Sequence, residues 1–164
     1  MTFSTQLLPL ESPRWLELDQ AYGAAEDLPA LLGAIASPTP AEDRAALWFA
    51  VWRMLSRPDA VFTSTYAAVP HLIALADELP LGERAEALHL ASHTECIRQL
   101  PDAPRIPDDL VPAYAEAIER MPSIVAASVG MSWEREIAQV FAAALLVGHR
   151  QPALASLLLD AVPE

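Results

Sequence analysis

The chain has 164 residues, 53% of them hydrophobic, and a formal net charge of −12. That length carries one domain with a real core, and that apolar content excludes disorder as the main state. All 10 basic residues are Arg, and a surface so acidic repels phosphate backbones and anionic membranes, so it favours a basic protein as partner.

The N-terminus, MTFSTQLLPLESP, has no basic region followed by a long apolar run, so no signal peptide is read there. Ser12 and Pro13 have the form of an N-cap and a first helical position, and Gly23 is placed to stop that helix, which predicts a helix over Pro13–Tyr22. Leu28-Pro29-Ala30-Leu31 opens the next helix. Thr39-Pro40-Ala41-Glu42 has the capping-box form ahead of a helix over Ala41–Ser56. From Ala45 to Leu55 only Arg53 is polar, which predicts a helix covered on both sides. Further helices are expected over Glu83–Gln99 and Trp133–Val147, the latter preceded by Ser132 and stopped at Gly148. The most apolar stretch, Ile137 to Val147, is too short to span a bilayer and reads as a buried helix. No β-branched alternation and no hairpin signal such as Asn-Gly is found.

A tetrapeptide recurs. Leu28-Pro29-Ala30-Leu31, Val69-Pro70-His71-Leu72, Val111-Pro112-Ala113-Tyr114 and Gln151-Pro152-Ala153-Leu154 each begin or enter an apolar helix. Their prolines are 41, 42 and 40 residues apart. Proline suits a first helical turn, which has no use for its missing N–H. The period falls in the HEAT/armadillo range of about 40–47 residues. The expected fold class is therefore all-α, with residues 1–164 forming a single short HEAT-like α-solenoid of about four antiparallel helix pairs. The prolines would mark the second helix of each pair. Tyr66-Ala67-Ala68 also look helical, so the helix holding Pro70 can start early and kink. The apolar Leu157-Leu158-Leu159 suits an outer face poorly and points to a contact with a second copy.

Ala45-Ala46-Leu47-Trp48, followed by Val61-Phe62-Thr63-Ser64-Thr65-Tyr66-Ala67-Ala68-Val69-Pro70-His71-Leu72-Ile73, resembles an uncharacterised bacterial family of HEAT-like repeat proteins. Those proteins carry a Trp-bearing helix, a His-Gln-Gly loop and a Ser-Tyr-Ala-Ala-Val-Pro-His-Leu-like helix. The loop here is Arg57-Pro58-Asp59. The resemblance covers the second helix pair; it implies a HEAT-like fold and brings no activity with it.

Catalytic and metal chemistry find little footing. His89, His93 and Cys96 share one helical face, with Glu86 close by, yet a thiol and imidazoles at a core edge explain them, and no metal or cofactor is expected. A single Cys excludes an internal disulfide. The adjacent carboxylates Glu26-Asp27, Glu42-Asp43 and Asp108-Asp109 complement helix dipoles and do not face each other as acid–base dyads. There is no Gly-x-Ser-x-Gly elbow and no Gly-rich phosphate loop, so the chain reads as a non-enzyme. Trp48 and Trp52 are expected in the core; the rival reading is a small-ligand-binding helical protein or an enzyme with a pocket near Trp48, Trp52 and Tyr66.

The remaining signal is charge. Acids gather on or just before the proline-opened helices (Glu26, Asp27, Asp77, Glu78, Asp108, Asp109, Glu116, Glu119, Asp160), with Arg120 as their one Arg. Arg14, Arg44, Arg53, Arg84, Arg98 and Arg135 fall on the other helices. The expectation is a cytoplasmic protein-binding module, of immunity or scaffold type, that offers an acidic groove to a basic partner. His71, Asp77, Glu78, Tyr114, Glu116 and Glu119 are the expected contacts.

Overall fold

A computed structural model describes residues 4–38 and 40–160, without the side chains of residues 41 and 42. The protein is all-α. Seven helices are described: α1 Leu28–Ala36, α2 Ala41–Leu55, α3 Thr63–Leu75, α4 Leu81–Ile97, α5 Val111–Ala127, α6 Arg135–Gly148 and α7 Pro152–Leu159. Pro29 and Pro112 sit at the second position of α1 and α5, and Pro152 opens α7, where an amide N–H would be unused. Pro70 lies inside α3. The helix starts earlier, at Thr63, because the Thr65 hydroxyl accepts the Phe62 N–H at 3.2 Å and gives its own proton to the Leu55 carbonyl at 2.6 Å. The capping box expected at Thr39 and Glu42 lies outside the described residues, and the helix expected from Trp133 begins at Arg135, with Glu134 at its N-cap position.

The helix expected over Pro13–Tyr22 does not form. Ser12 does cap Pro13, its Oγ accepting the Arg14 N–H, but only a 3-10 turn, Pro13–Glu17, results. Trp15 is drawn into the core, and its indole N–H reaches the Pro9 carbonyl at 2.9 Å. The chain then becomes extended at Leu18. Asp19–Gln20 (β1) and Gly23–Ala24 (β2) form an antiparallel ribbon, with Gly23 at φ +123°, a conformation its missing side chain permits. A second ribbon joins Ser56–Arg57 (β3) to Ala60–Val61 (β4) between α2 and α3.

Sequential helices pack in pairs, α1 on α2, α3 on α4, α5 on α6 and α6 on α7. Across them, α3 lies against α1 and α5, α4 lies against α6, and α7 packs on both α4 and α6. One continuous core runs from Trp15 through Tyr66, Leu88 and Phe141 to Ala155. α2 is not covered on both sides as its sequence suggested. Trp48, Val51 and Leu55 face inward, whereas Ala45, Ala46 and Phe49 are exposed, because the Pro13–Tyr22 segment forms a 3-10 turn and a ribbon and not an α-helix that could lie over them. None of the described helices is long and apolar enough to cross a membrane.

Candidate functional site

α4 carries the polar groups that tie the helices together. Two of its carboxylates reach α2: Glu83 pairs with Arg44 and accepts the Trp48 indole N–H at 2.9 Å, and Glu86 accepts that of Trp52 at 2.8 Å. Arg44 holds Glu83 below the usual carboxylate range. The guanidinium of Arg84, itself buried, donates to the Ala76, Asp77 and Leu79 carbonyls and to Ser128 Oγ at 2.7 Å. It thus caps α3, where a cation meets the negative end of the dipole, and clips α5 to it.

The fourth tie borders a cleft of about 380 Å³ between α4, α5 and the α6–α7 turn. Glu95 is buried, accepts the Arg98 Nε proton at 2.8 Å and the Tyr114 hydroxyl proton at 3.0 Å, and draws Gln99 Nε2 to within 3.4 Å. The ring of Tyr114 meets that of Tyr66 edge-on at 5.2 Å, and the Tyr66 hydroxyl donates to the Pro104 carbonyl at 2.8 Å. Burial, reinforced by Glu95, pushes the Tyr114 phenol well above its ordinary range, and burial lifts Tyr66 to about 12. The bond to Glu95 raises Arg98 in turn. A carboxylate held by three donors is a fixed acceptor. Glu119 and Arg150 complete the charged lining, so the cleft presents two guanidiniums and two carboxylates.

Arg150 has φ +61°, which side chains other than glycine rarely adopt. It occupies the turn after α6, where its N–H reaches the Val147 carbonyl and the Gln151 N–H reaches the Leu146 carbonyl, both at 2.8 Å. That is a Schellman termination with Arg in the usual glycine place.

The six expected contact residues are not brought together. Tyr114 is buried beside Glu95 and is no surface anchor. His71 Nε2 lies 2.8 Å from the Leu8 carbonyl, and burial lowers its pKa. Glu116 receives the Ser4 N–H at 2.7 Å, the Thr5 N–H at 2.8 Å and the Ser4 hydroxyl at 3.0 Å, which hold its carboxyl down to about 2. With Leu10 near Gly33 of α1, the N-terminal segment therefore crosses α1, α3 and α5 and occupies two of the residues offered to a partner. Asp77, Glu78 and Glu119 are exposed. Asp77 lines a cleft with Ser123 and Ile124, seven and eight residues beyond Glu116 on α5, which puts roughly 10 Å of helix between the two acids. Glu78 borders a different cleft, with Arg44 and Pro80.

The aromatic trio of the rival reading is also spoken for. Trp48 is buried on Glu83, Trp52 packs on His89 and His93 at 4.8 and 5.9 Å, and Tyr66 is fully buried. His93 Nε2 lies 3.1 Å from the Arg57 carbonyl, and the Cys96 thiol donates to the Pro152 carbonyl at 3.3 Å. Burial pushes that thiol up to about 11 and His89 down to about 4. No group of three or more His, Cys, Asp or Glu suited to a metal occurs among the described residues.

Sequence reasoning missed the roles of Glu83 and Glu86 because their partners lie on α2, and that of Arg84 because its acceptors are backbone carbonyls at the end of α3 and a hydroxyl at the end of α5; Glu95–Arg98, three residues apart, had a local signal. Comparison of the chain with protein-family models, with curated proteins and with solved structures returned no match.

Proposed function

We propose that the chain is a HEAT-like helical stack that acts in the cytoplasm, without catalysis of its own, as a binding module for a basic protein. The observation that supports this reading is where the arginines go. Arg44 and Arg84 are spent between helices, Arg98 on Glu95 three residues before it, and Arg14 is held by Asp109 at 3.0 Å and Glu17 at 2.8 Å. The exposed carboxylates Asp77, Glu78 and Glu119 have no ion-pair partner among the described residues. These acids, on a chain of net charge −12, steer cations to that surface and make their association salt-dependent. His71 and Glu116 join the contact set only where the partner displaces the N-terminal segment.

The test compares the immobilised wild-type chain with an Asp77→Lys/Glu119→Lys variant, each exposed to extract of the source cell at low salt, with bound proteins identified by mass spectrometry. Basic proteins retained by the wild type and lost from the variant are expected. Equal retention by both would defeat the reading. Self-association through α7 belongs to the same proposal, since Leu154 and Leu157 are 51% and 66% exposed there. Sedimentation should show a concentration-dependent dimer that Leu157→Glu abolishes; a wild-type chain that stays monomeric at every concentration would remove this part.

A further inference from the structure

The open side of α2 carries a cluster of opposite sign to the rest of the surface. Tyr22 at the tip of the β1–β2 ribbon is 60% exposed, and Phe49 on α2 is 63% exposed. The Arg53 guanidinium lies 5.5 Å from the centroid of the Tyr22 ring and 5.6 Å from that of Phe49, and it donates to the Tyr22 hydroxyl at 3.0 Å. Arg57, from β3, lies 5.4 Å from the same Tyr22 ring. The ribbon that supplies Tyr22 is itself held, because the Ala21 N–H reaches the Met54 carbonyl at 3.0 Å and Arg57 Nη2 reaches the Ala21 carbonyl at 3.4 Å. Both arginines are exposed, and neither has a carboxylate within ion-pair distance among the described residues.

We propose that Tyr22, Phe49, Arg53 and Arg57 form a docking surface for an acidic segment of a partner protein, one that sets carboxylates beside an apolar side chain. Three features point to that occupant. A guanidinium laid over an aromatic ring leaves most of its in-plane N–H donors unused, and those donors match a carboxylate. The rings hold the two long side chains in place, so less side-chain freedom is lost on binding. Phe49 adds an apolar contact, and Tyr with Arg is the composition of interface hot spots. A nucleic acid fits less well, because each additional phosphate meets the repulsion of a chain with net charge −12, whereas a short segment presents only a few negative groups. This surface shares no residue with the acidic one proposed above, so either can fail alone.

The experiment measures fluorescence anisotropy of a fluorescein-labelled peptide of alternating Glu and Phe against the full chain, with labelled oligothymidylate as a second probe. Saturable peptide binding is expected, weakened tenfold or more by Arg53→Glu/Arg57→Glu and severalfold by Phe49→Ala. Arg53→Lys/Arg57→Lys, which keeps the charge and gives up the planar fork, should also bind more weakly than wild type, and it serves where the reversal variant fails to fold. Absence of peptide binding, binding unchanged in these variants, or tighter binding of oligothymidylate than of the peptide would each overturn the proposal.

Discussion

Gly148 closes α6 against α5, and its replacement by Ala should be costly for a reason readable in the geometry. A Cβ added there would lie 2.6 Å from Cδ of Pro122 and closer still to its Cγ, where ordinary contact begins near 3.4 Å. The overlap of nearly 1 Å falls on a ring that is part of the α5 backbone and has no rotamer to escape into. Pro122 also deprives the Ile118 carbonyl of its helical donor, and that oxygen would be 3.6 Å from the same Cβ. Overpacking of this kind costs about 1–3 kcal/mol, and the better helix propensity of Ala returns at most about 1. A net loss of about 2 kcal/mol would lower the melting temperature of a chain this size by about 4–8 °C. Thermal and urea melts of Gly148→Ala, Pro122→Ala and the double variant test the cause as well as the size. Removing the ring should make Gly148→Ala nearly harmless, a coupling of about 1 kcal/mol or more. Gly82→Ala, whose added Cβ meets nothing within 4 Å, is the control and should be neutral or slightly stabilising. A Gly148→Ala protein as stable as the wild type, or a loss unaffected by Pro122→Ala, would refute the reasoning.

Arg150→Gly should stabilise the protein by about 1 kcal/mol, since it relieves the left-handed strain at φ +61° while leaving the Schellman bonds intact; an unchanged or lower melting temperature would show that Arg150 returns more through its contacts than the strain costs. His89, held neutral by burial with a pKa of about 4 against an unfolded value near 6.5, binds its proton more readily in the unfolded chain. Stability should therefore be complete above pH 6.5 and fall as pH drops toward 4, by about 3 kcal/mol at most from this residue. Urea melts at pH 7 and pH 4 check it: His89→Leu should show a smaller loss between the two than the wild type, and an equal loss would remove the assignment.

Prolines were legible where they did what their chemistry allows at a helix start, at residues 29, 112 and 152. Pro70 carries the same tetrapeptide, yet its helix is set by Thr65 and Phe62, five and eight residues earlier, and so the repeat marks a position in α3 and not its beginning. At the N-terminus the local signals were right and insufficient. Ser12 and Pro13 start a turn, but burying Trp15 and binding the Asp19 N–H to Thr63 Oγ1 at 2.8 Å outweigh further helix. That outcome also uncovers α2, so an apolar run that read as doubly covered keeps Phe49 in solvent. The surroundings of the expected contact residues were illegible for a different reason. Charge along a helix says nothing of which carboxylates another segment will claim, and Glu116 is claimed by backbone amides more than a hundred residues away.

The chain's acids therefore divide by partner and not by helix type. On α4, Glu83, Glu86 and Glu95 each answer a specific donor on a neighbouring element or turn, and Arg84 answers the end of α3. Apolar packing alone discriminates weakly between registers of helices rich in Ala and Leu. A buried carboxylate or guanidinium without its donor or acceptor costs several kcal/mol, so these ties penalise every register but one. Their consequence reaches the surface. Arg84, drawn inward onto carbonyls and a hydroxyl, neutralises no acid, while Arg53 and Arg57, on the side of α2 that no described helix covers, stay without an ion-pair partner among the described residues and rest on aromatic rings. The same folding choice that puts a 3-10 turn and a ribbon where a helix was expected thus leaves a small cationic, aromatic surface on an otherwise acidic protein.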